Sequence, residues 1–407
     1  MSRYADLPLH YGNVPQWLAE RMKRLGGAIV EAILLEYGKS ELLRRLSDPL
    51  WFQSLGCVLG MDWHSSGITT SVMGALKRAV NPKAKELGIY ICGGRGRHSR
   101  QTPAELLGVA ERTGLDAEQL VRSSKLTAKV DNTAVQDGFQ LYLHNFIVTD
   151  HGEWVVIQQG MNDASAMARR YHWHSTQFQA YLNSPHSGVT GENQGLILNL
   201  AHADATATRS GILDLTRESP DKMVSEVRKI VLPRRHQVTA SDVNLKRLGA
   251  ALVLAHETSP DDFESLLLLQ GVGPRTIQSL TLVSEVIYGS PVRFNDPARF
   301  SFAHGGKDGH PFPVPVKVYD ETIGTLRTAI EKAKVGITDK QDAIRQLSAM
   351  AWKLEEQFQP RPFFEEVMQK ERYESHQYGG RTVFGKAKPP AKKIQQQLNL
   401  FDDYSNT

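Results

Sequence analysis

Phe139-Gln140-Leu141-Tyr142-Leu143-His144-Asn145-Phe146-Ile147-Val148 is followed by Asp150-His151-Gly152 and then Trp154-Val155-Val156-Ile157-Gln158-Gln159. The stretch reads as strand, turn and returning strand. β-Branched and aromatic residues dominate both arms, and turn-forming residues separate them. This hairpin decides the fold class, because helical spacing lies on both sides of it. Before it, apolar residues recur at helical intervals over 14–25, 28–37, 40–46 and 71–80. A strand is expected over 87–92. A helix is expected from Thr102-Pro103-Ala104-Glu105, a capping box with proline at the first position. After the hairpin, 161–215 is polar, loop-rich and histidine-rich, 218–290 returns to helix, and 320–334 and 339–358 read as two amphipathic helices. The class is α+β. A mixed α/β domain over 1–215 holds the hairpin, a helical domain covers 216–372, and a disordered tail covers 373–407.

Within the helical region stands Leu266-Leu267-Leu268-Leu269-Gln270-Gly271-Val272-Gly273-Pro274-Arg275-Thr276. It reads as helix, two-glycine turn, helix. Ser259 is expected as N-cap of the first helix, with Pro260 at its first position. Gly271 and Gly273 permit a tight turn and a close backbone approach. Pro274 opens a second helix, whose free amides and positive dipole end suit a phosphate oxygen. The segment resembles the helix-hairpin-helix of DNA repair proteins. The resemblance implies sequence-independent contact with the DNA backbone through Gly271, Gly273, Arg275 and Thr276.

Near the end stands Gln395-Gln396-Gln397-Leu398-Asn399-Leu400-Phe401-Asp402. It resembles the peptide by which bacterial replication and repair proteins hold the sliding clamp. Read from Gln395, it also resembles the archaeal clamp-binding box. Leu398, Leu400 and Phe401 can fill an apolar pocket while Gln397 supplies amide hydrogen bonds. The preceding 379–393 is rich in glycine, proline and lysine, a solvated linker.

The 407 residues can bury a sizeable core in two or three domains. Hydrophobic content of 41% and charged content of 23% are those of a soluble globular protein. No apolar run is long enough to span a bilayer, and the N-terminus has no signal-like apolar region, so a cytoplasmic protein is expected. Two cysteines suit a reducing compartment and exclude a cysteine-rich zinc site. Net charge is only +4, so basicity matters by location.

One such location is Gly93-Gly94-Arg95-Gly96-Arg97-His98-Ser99-Arg100, a glycine turn expected to cradle an anion between strand and helix. Arg95, Arg97 and Arg100, with Arg170, are the expected phosphate contacts. On the hairpin, Gln140, Tyr142 and His144 alternate and are expected on one strand face. Asp131 and Asp137 precede them, and Arg169-Arg170-Tyr171-His172-Trp173-His174 follows. Carboxylates and histidines meeting across a hairpin can hold a divalent metal, Mg²⁺ or Mn²⁺, for phosphodiester hydrolysis. Asp131, Asp137, His144, His172 and His174 are therefore the candidate catalytic set, with Asp131, Asp137 and His144 as metal ligands. Asp296 lies near the place where glycosylases with this hairpin carry a catalytic aspartate, at a slightly longer spacing and with Arg275 where bifunctional enzymes carry a lysine, so the resemblance implies at most a monofunctional activity. In Gly60-Met61-Asp62-Trp63-His64-Ser65-Ser66-Gly67, Asp62 or Ser66 is expected to cap the following helix.

Taken whole, the chain resembles a prokaryotic family described as a domain of unknown function. The resemblance rests on Leu7-Pro8-Leu9-His10-Tyr11-Gly12, residues 60–67, Gln158-Gln159-Gly160-Met161-Asn162, Arg169 to Trp173, and residues 301–309. It implies one unit with DNA processing suspected and no assigned mechanism. The reading is a DNA repair or recombination protein recruited by a sliding clamp, with a metal-dependent nuclease as the leading activity. The alternatives are a base-excision glycosylase using Asp296 and a non-catalytic DNA–clamp adaptor. The oligomeric state is left open.

Overall fold

A computed structural model describes residue 7 and residues 14–62, 65–221, 245–298, 316–357, 381–382 and 385–386. Met1–Gln359 form one compact unit and Pro360–Thr407 a second. The domain boundary expected at 215/216 lies inside the first unit.

The first unit is mixed α/β, and its sheets are antiparallel. It opens with α1 (Gln16–Leu46), which merges the three expected helices and kinks at Gly38, φ +83°. Then follow α2 (Pro49–Val58), α3 (Gly67–Val80), α4 (Ala84–Leu87) and β1 (Ile89–Arg95). The helical hairpin α5 (Arg97–Thr113) and α6 (Ala117–Lys129) comes next. A π-turn over Val130–Ala134 leads to β2 (Val135–Gln136), β3 (Gln140–Thr149), β4 (Trp154–Asn162), β5 (Met167–His174), β6 (Gly188–Thr190) and β7 (Leu196–Asn199).

The expected hairpin is β3–β4, at the centre of a five-stranded sheet ordered β1-β3-β4-β5-β6. Both faces of this sheet are covered, so its strands are buried almost continuously. Ile147, Val155 and Ile157 point into a core with α1, α2 and α3. Phe146, Val148, Trp154 and Val156 point into a second core with α5 and α6.

The remaining helices are α7 (Thr206–Arg217), α8 (Leu245–Thr258), α9 (Phe263–Leu268) and α10 (Pro274–Tyr288). They contribute Ile212, Leu252, Leu266 and Ile277 to the second core. β8 (Arg293–Asn295) then pairs with β7, closing the small sheet β2-β7-β8. α11 (Val316–Lys332) and α12 (Ile337–Gln357) pack on the first core through Leu326, Ile330 and Leu347. In the second unit, β9 (Arg381–Thr382) pairs with β10 (Gly385–Lys386).

Several local expectations are corrected. Residues 161–215 hold β5, β6, β7 and α7. The arginines and histidines of β5 disguise a buried strand as a polar loop. α5 begins at Arg97, ahead of the expected capping box, with Pro103 inside it. Proline has no N–H to offer the Ser99 carbonyl, and the Thr102 hydroxyl bonds that carbonyl instead. α9 begins at Phe263 with Asp262 as its cap, accepting from the Ser265 N–H. Ser259 instead follows the end of α8, at φ +46°. Ser66 holds the N-cap position of α3, but the hydroxyl that accepts there, from the Gly67 N–H, is that of Ser65.

Candidate functional site

Three polar assemblies occupy the two faces of the sheet, and a bulge decides which face Tyr142 and His144 join. The β3–β4 register shifts between Leu141 and Leu143. Tyr142 and His144 therefore do not share a face. The Tyr142 hydroxyl accepts from Gln159, whereas His144 bonds Gln158, its neighbour on the opposite face. The expected trio of Gln140, Tyr142 and His144 is split by this extra residue.

On the α5–α6 face, Asp131 sits on the π-turn, a rare backbone form frequent at functional sites. Its side chain is fully buried and receives three donors. Gln158 Nε2 and Trp173 Nε1 reach one oxygen at 2.6 and 2.8 Å, and His186 Nε2 reaches the other at 2.5 Å. The chain of bonds continues backwards. His144 Nδ1 lies 2.8 Å from Gln158 Oε1, and His144 Nε2 lies 2.9 Å from the Ser124 hydroxyl. Because Gln158 Oε1 can only accept, His144 donates there and accepts from Ser124. Burial pushes the His144 imidazole down to about 4, so it is neutral near pH 7.

Asp137 belongs to a different cluster. Arg169 NH1 and the Tyr171 hydroxyl both bond one of its oxygens, at 2.8 and 2.6 Å, and the Phe139 N–H bonds the other. Arg169 also grips Asp296 in a bidentate pair, both contacts at 2.9 Å. Asp296 accepts further from the Gln194 and Ala298 amides. Burial opposes the Arg169 charge, but its two carboxylates outweigh that cost and hold it protonated. Burial raises the Asp137 carboxyl, with Arg169 and Tyr171 pulling it back.

On the α1–α3 face, Arg170 is fully buried. Its Nε donates to His172 Nε2, and its NH1 donates to Gln53 Oε1, each at 2.9 Å. Burial lowers the Arg170 guanidinium to about 9. His172 Nδ1 faces the Leu46 carbonyl, so both its ring nitrogens are engaged. Burial, reinforced by the Arg170 charge, keeps it neutral. His174 shares that face and pairs with Glu153 at 2.9 Å; burial also lowers its pKa, against the pull of Glu153.

The expected metal set does not fit a metal. Asp131 and Asp137 are saturated by separate donors, and both His144 nitrogens are in hydrogen bonds. Among the described residues no group of three or more His, Cys, Asp or Glu side chains could hold an ion. Asp296 is a structural anchor for the segment after α10, with neither oxygen spare for base chemistry. Arg170, being buried, cannot touch a duplex at the surface.

The turn between α9 and α10 is built differently. Gly271 adopts φ +87°, and a Cβ added at Gly271 or Gly273 would meet nothing within 4 Å. Val272 is buried, and its carbonyl accepts from Lys129 at the end of α6. The Pro274 carbonyl accepts from Gln136 Nε2 at 2.8 Å. Gly271, Pro274 and Arg275 are exposed, while Thr276 is buried. The other basic segment is exposed at Arg95, Arg97 and Arg100, with the Arg95 guanidinium 5.7 Å from the Tyr142 ring centre.

The sequence reading missed His186, Arg169 and Gln136 as organisers of these sites. His186 lies 55 residues from Asp131, and no spacing rule joins them. The clamp-like residues Gln397, Leu398, Leu400 and Phe401 lie outside the described residues.

Fold and sites together define a mixed α/β protein whose sheet carries buried polar clusters and whose open glycine turn is fastened to α6 and β2. The chain belongs to the family described as Protein of unknown function (DUF763), whose match covers residues 3–314. No curated protein and no solved structure matches it. Among the described residues no helix is long and apolar enough to cross a membrane.

Proposed function

We propose that this protein binds the DNA backbone through Gly271–Thr276, used as a helix-hairpin-helix. The observation that carries the reading is the fastening of the turn. Lys129 and Gln136 take the Val272 and Pro274 carbonyls inward, and the glycine faces stay open. Pro274 has no N–H, and the Arg275 and Thr276 amides that follow it have no intrahelical acceptor, so they and the helix dipole offer an anion site. Arg275 is exposed beside them.

α5 and α6 pack as a helical hairpin across the short link from Gly114 to Asp116, and the start of α5 supplies a second basic contact. Arg97 and Arg100 at that start extend the grip. Gln397, Leu398, Leu400 and Phe401 supply recruitment to a sliding clamp, making the protein a DNA repair or recombination factor.

The test is fluorescence anisotropy of a labelled duplex oligonucleotide across a salt series. Gly273→Val, at a backbone conformation that any residue adopts, should weaken binding about 10-fold by blocking the backbone approach. Arg275→Ala should reduce the salt slope by about one. Wild-type binding by both variants would sink the proposal.

A further inference from the structure

Asp131 and His186 form a dyad whose geometry is that of an oriented general base. Asp131 cannot rotate away, because Gln158 and Trp173 hold the oxygen that His186 does not use. It accepts from His186 Nε2, so the proton of a neutral His186 ring sits on Nε2 and Nδ1 carries the lone pair. Nδ1 has no hydrogen-bond partner among the described residues, on a side chain that keeps 5% of its surface exposed. The ring itself is fixed edge-on to Trp173, with centroids 4.7 Å apart. Its loop contains Ser184 at φ +50°, a left-handed conformation that a serine seldom adopts and that is enriched near functional sites. Of the other buried histidines, His144 and His172 have both nitrogens engaged, and His174, whose Nε2 pairs with Glu153, has an Nδ1 sealed from solvent.

The surroundings name the substrate class. The π-turn that carries Asp131 packs directly against α9 and α10, the two helices that hold the glycine turn. Lys129, which fastens the turn, immediately precedes that segment. A nucleic-acid strand held at Gly271–Thr276 would therefore lie beside the element that orients the dyad.

We infer that His186, oriented by Asp131, is the general base of a phosphodiester hydrolysis centre. The inference rests on the DNA-backbone reading above. In the step, His186 Nδ1 takes a proton from water as the water oxygen bonds to phosphorus. The P–O bond to the leaving nucleoside breaks, and its oxygen takes up a proton from solvent. The imidazolium then returns its proton to solvent. The products are a phosphomonoester and a free hydroxyl, with no change of oxidation state. Asp131 is a positioning residue in this scheme: it sets the tautomer and stabilises the imidazolium.

The test uses full-length protein with end-labelled single-stranded, duplex, nicked and branched DNA, in Mg²⁺, in Mn²⁺ and in EDTA. Anisotropy on the same substrates is measured in parallel. Scission should fall about 100-fold in His186→Gln and at least about 10-fold in Asp131→Asn, with DNA affinity unchanged. Added imidazole should restore part of the activity of His186→Gly, a rescue that a purely structural histidine would not show. Near-UV circular dichroism checks that the variants keep the wild-type fold. A wild type that binds DNA but cuts none of these substrates overturns this inference and leaves the binding proposal standing. Scission undiminished in folded His186→Gln overturns it as well. Failure of wild type to bind DNA overturns the binding proposal, and this inference with it.

Discussion

Lys129 Nζ donates a 2.5 Å hydrogen bond to the Val272 carbonyl, joining the end of α6 to the glycine turn across 143 residues of sequence. Burial lowers the Lys129 pKa, so this ammonium has given up hydration to make the contact. The bond shapes the turn from behind and leaves its outer face open. Lys129→Met keeps the aliphatic stem and removes the donor. It should weaken duplex binding about 5-fold by loosening the turn, with a smaller effect on the urea midpoint. An unchanged affinity would show that the turn holds its shape without Lys129.

The exposed guanidiniums at the start of α5 should act through charge. Arg97→Ala combined with Arg100→Ala should lower the slope of log K against log salt by up to about two. The loss should be similar on unrelated duplex sequences, since phosphate contacts carry no base information. A loss confined to one sequence would point to base readout instead.

Acid should destabilise the fold through His144. The unfolded chain protonates this histidine near pH 6.5, the folded chain only near pH 4. Unfolding therefore takes up a proton in that window, and stability falls as pH drops through it. The full loss is roughly 3 kcal/mol, reached below about pH 4. His172, also held neutral by burial, works in the same direction. Denaturation at pH 7, 5.5 and 4.5 should show the decline, and His144→Asn should flatten it. An equally steep decline in that variant would assign the acid sensitivity to other groups.

Arg169 holds Asp137 and Asp296 together with almost no solvent contact. Asp296→Ala should cost about 3–5 kcal/mol, because the guanidinium loses one of two buried partners. The denaturant midpoint reads this directly. A small loss would mean that the Arg169 charge is satisfied by Asp137 alone.

Removing residues 395–402 should abolish capture by an immobilised sliding clamp and leave duplex binding intact. Retained capture would place any clamp contact elsewhere in the chain.

The sequence by itself determined the local elements. Paired runs of β-formers predicted the β3–β4 hairpin, and helical spacing predicted most of α1, α3, α11 and α12. Two glycines and a proline marked the turn ahead of α10. These are short-range signals, because backbone conformation and apolar periodicity are properties of neighbouring residues. The same signals failed where charge was buried: β5, with Arg169, Arg170, His172 and His174, looked like a loop. Only the tertiary structure decided what the polar residues do. A single bulge between Leu141 and Leu143 sent Tyr142 and His144 to opposite faces. Asp131 and Asp137, six positions apart, went to separate clusters, with His186 and Arg169 as their respective partners. Asp296 became an anchor because Arg169 meets it from 127 residues away. Hydrogen bonds and ion pairs of this kind depend on distances between strands. A linear pattern of residue types leaves those distances open, and the packed sheet sets them.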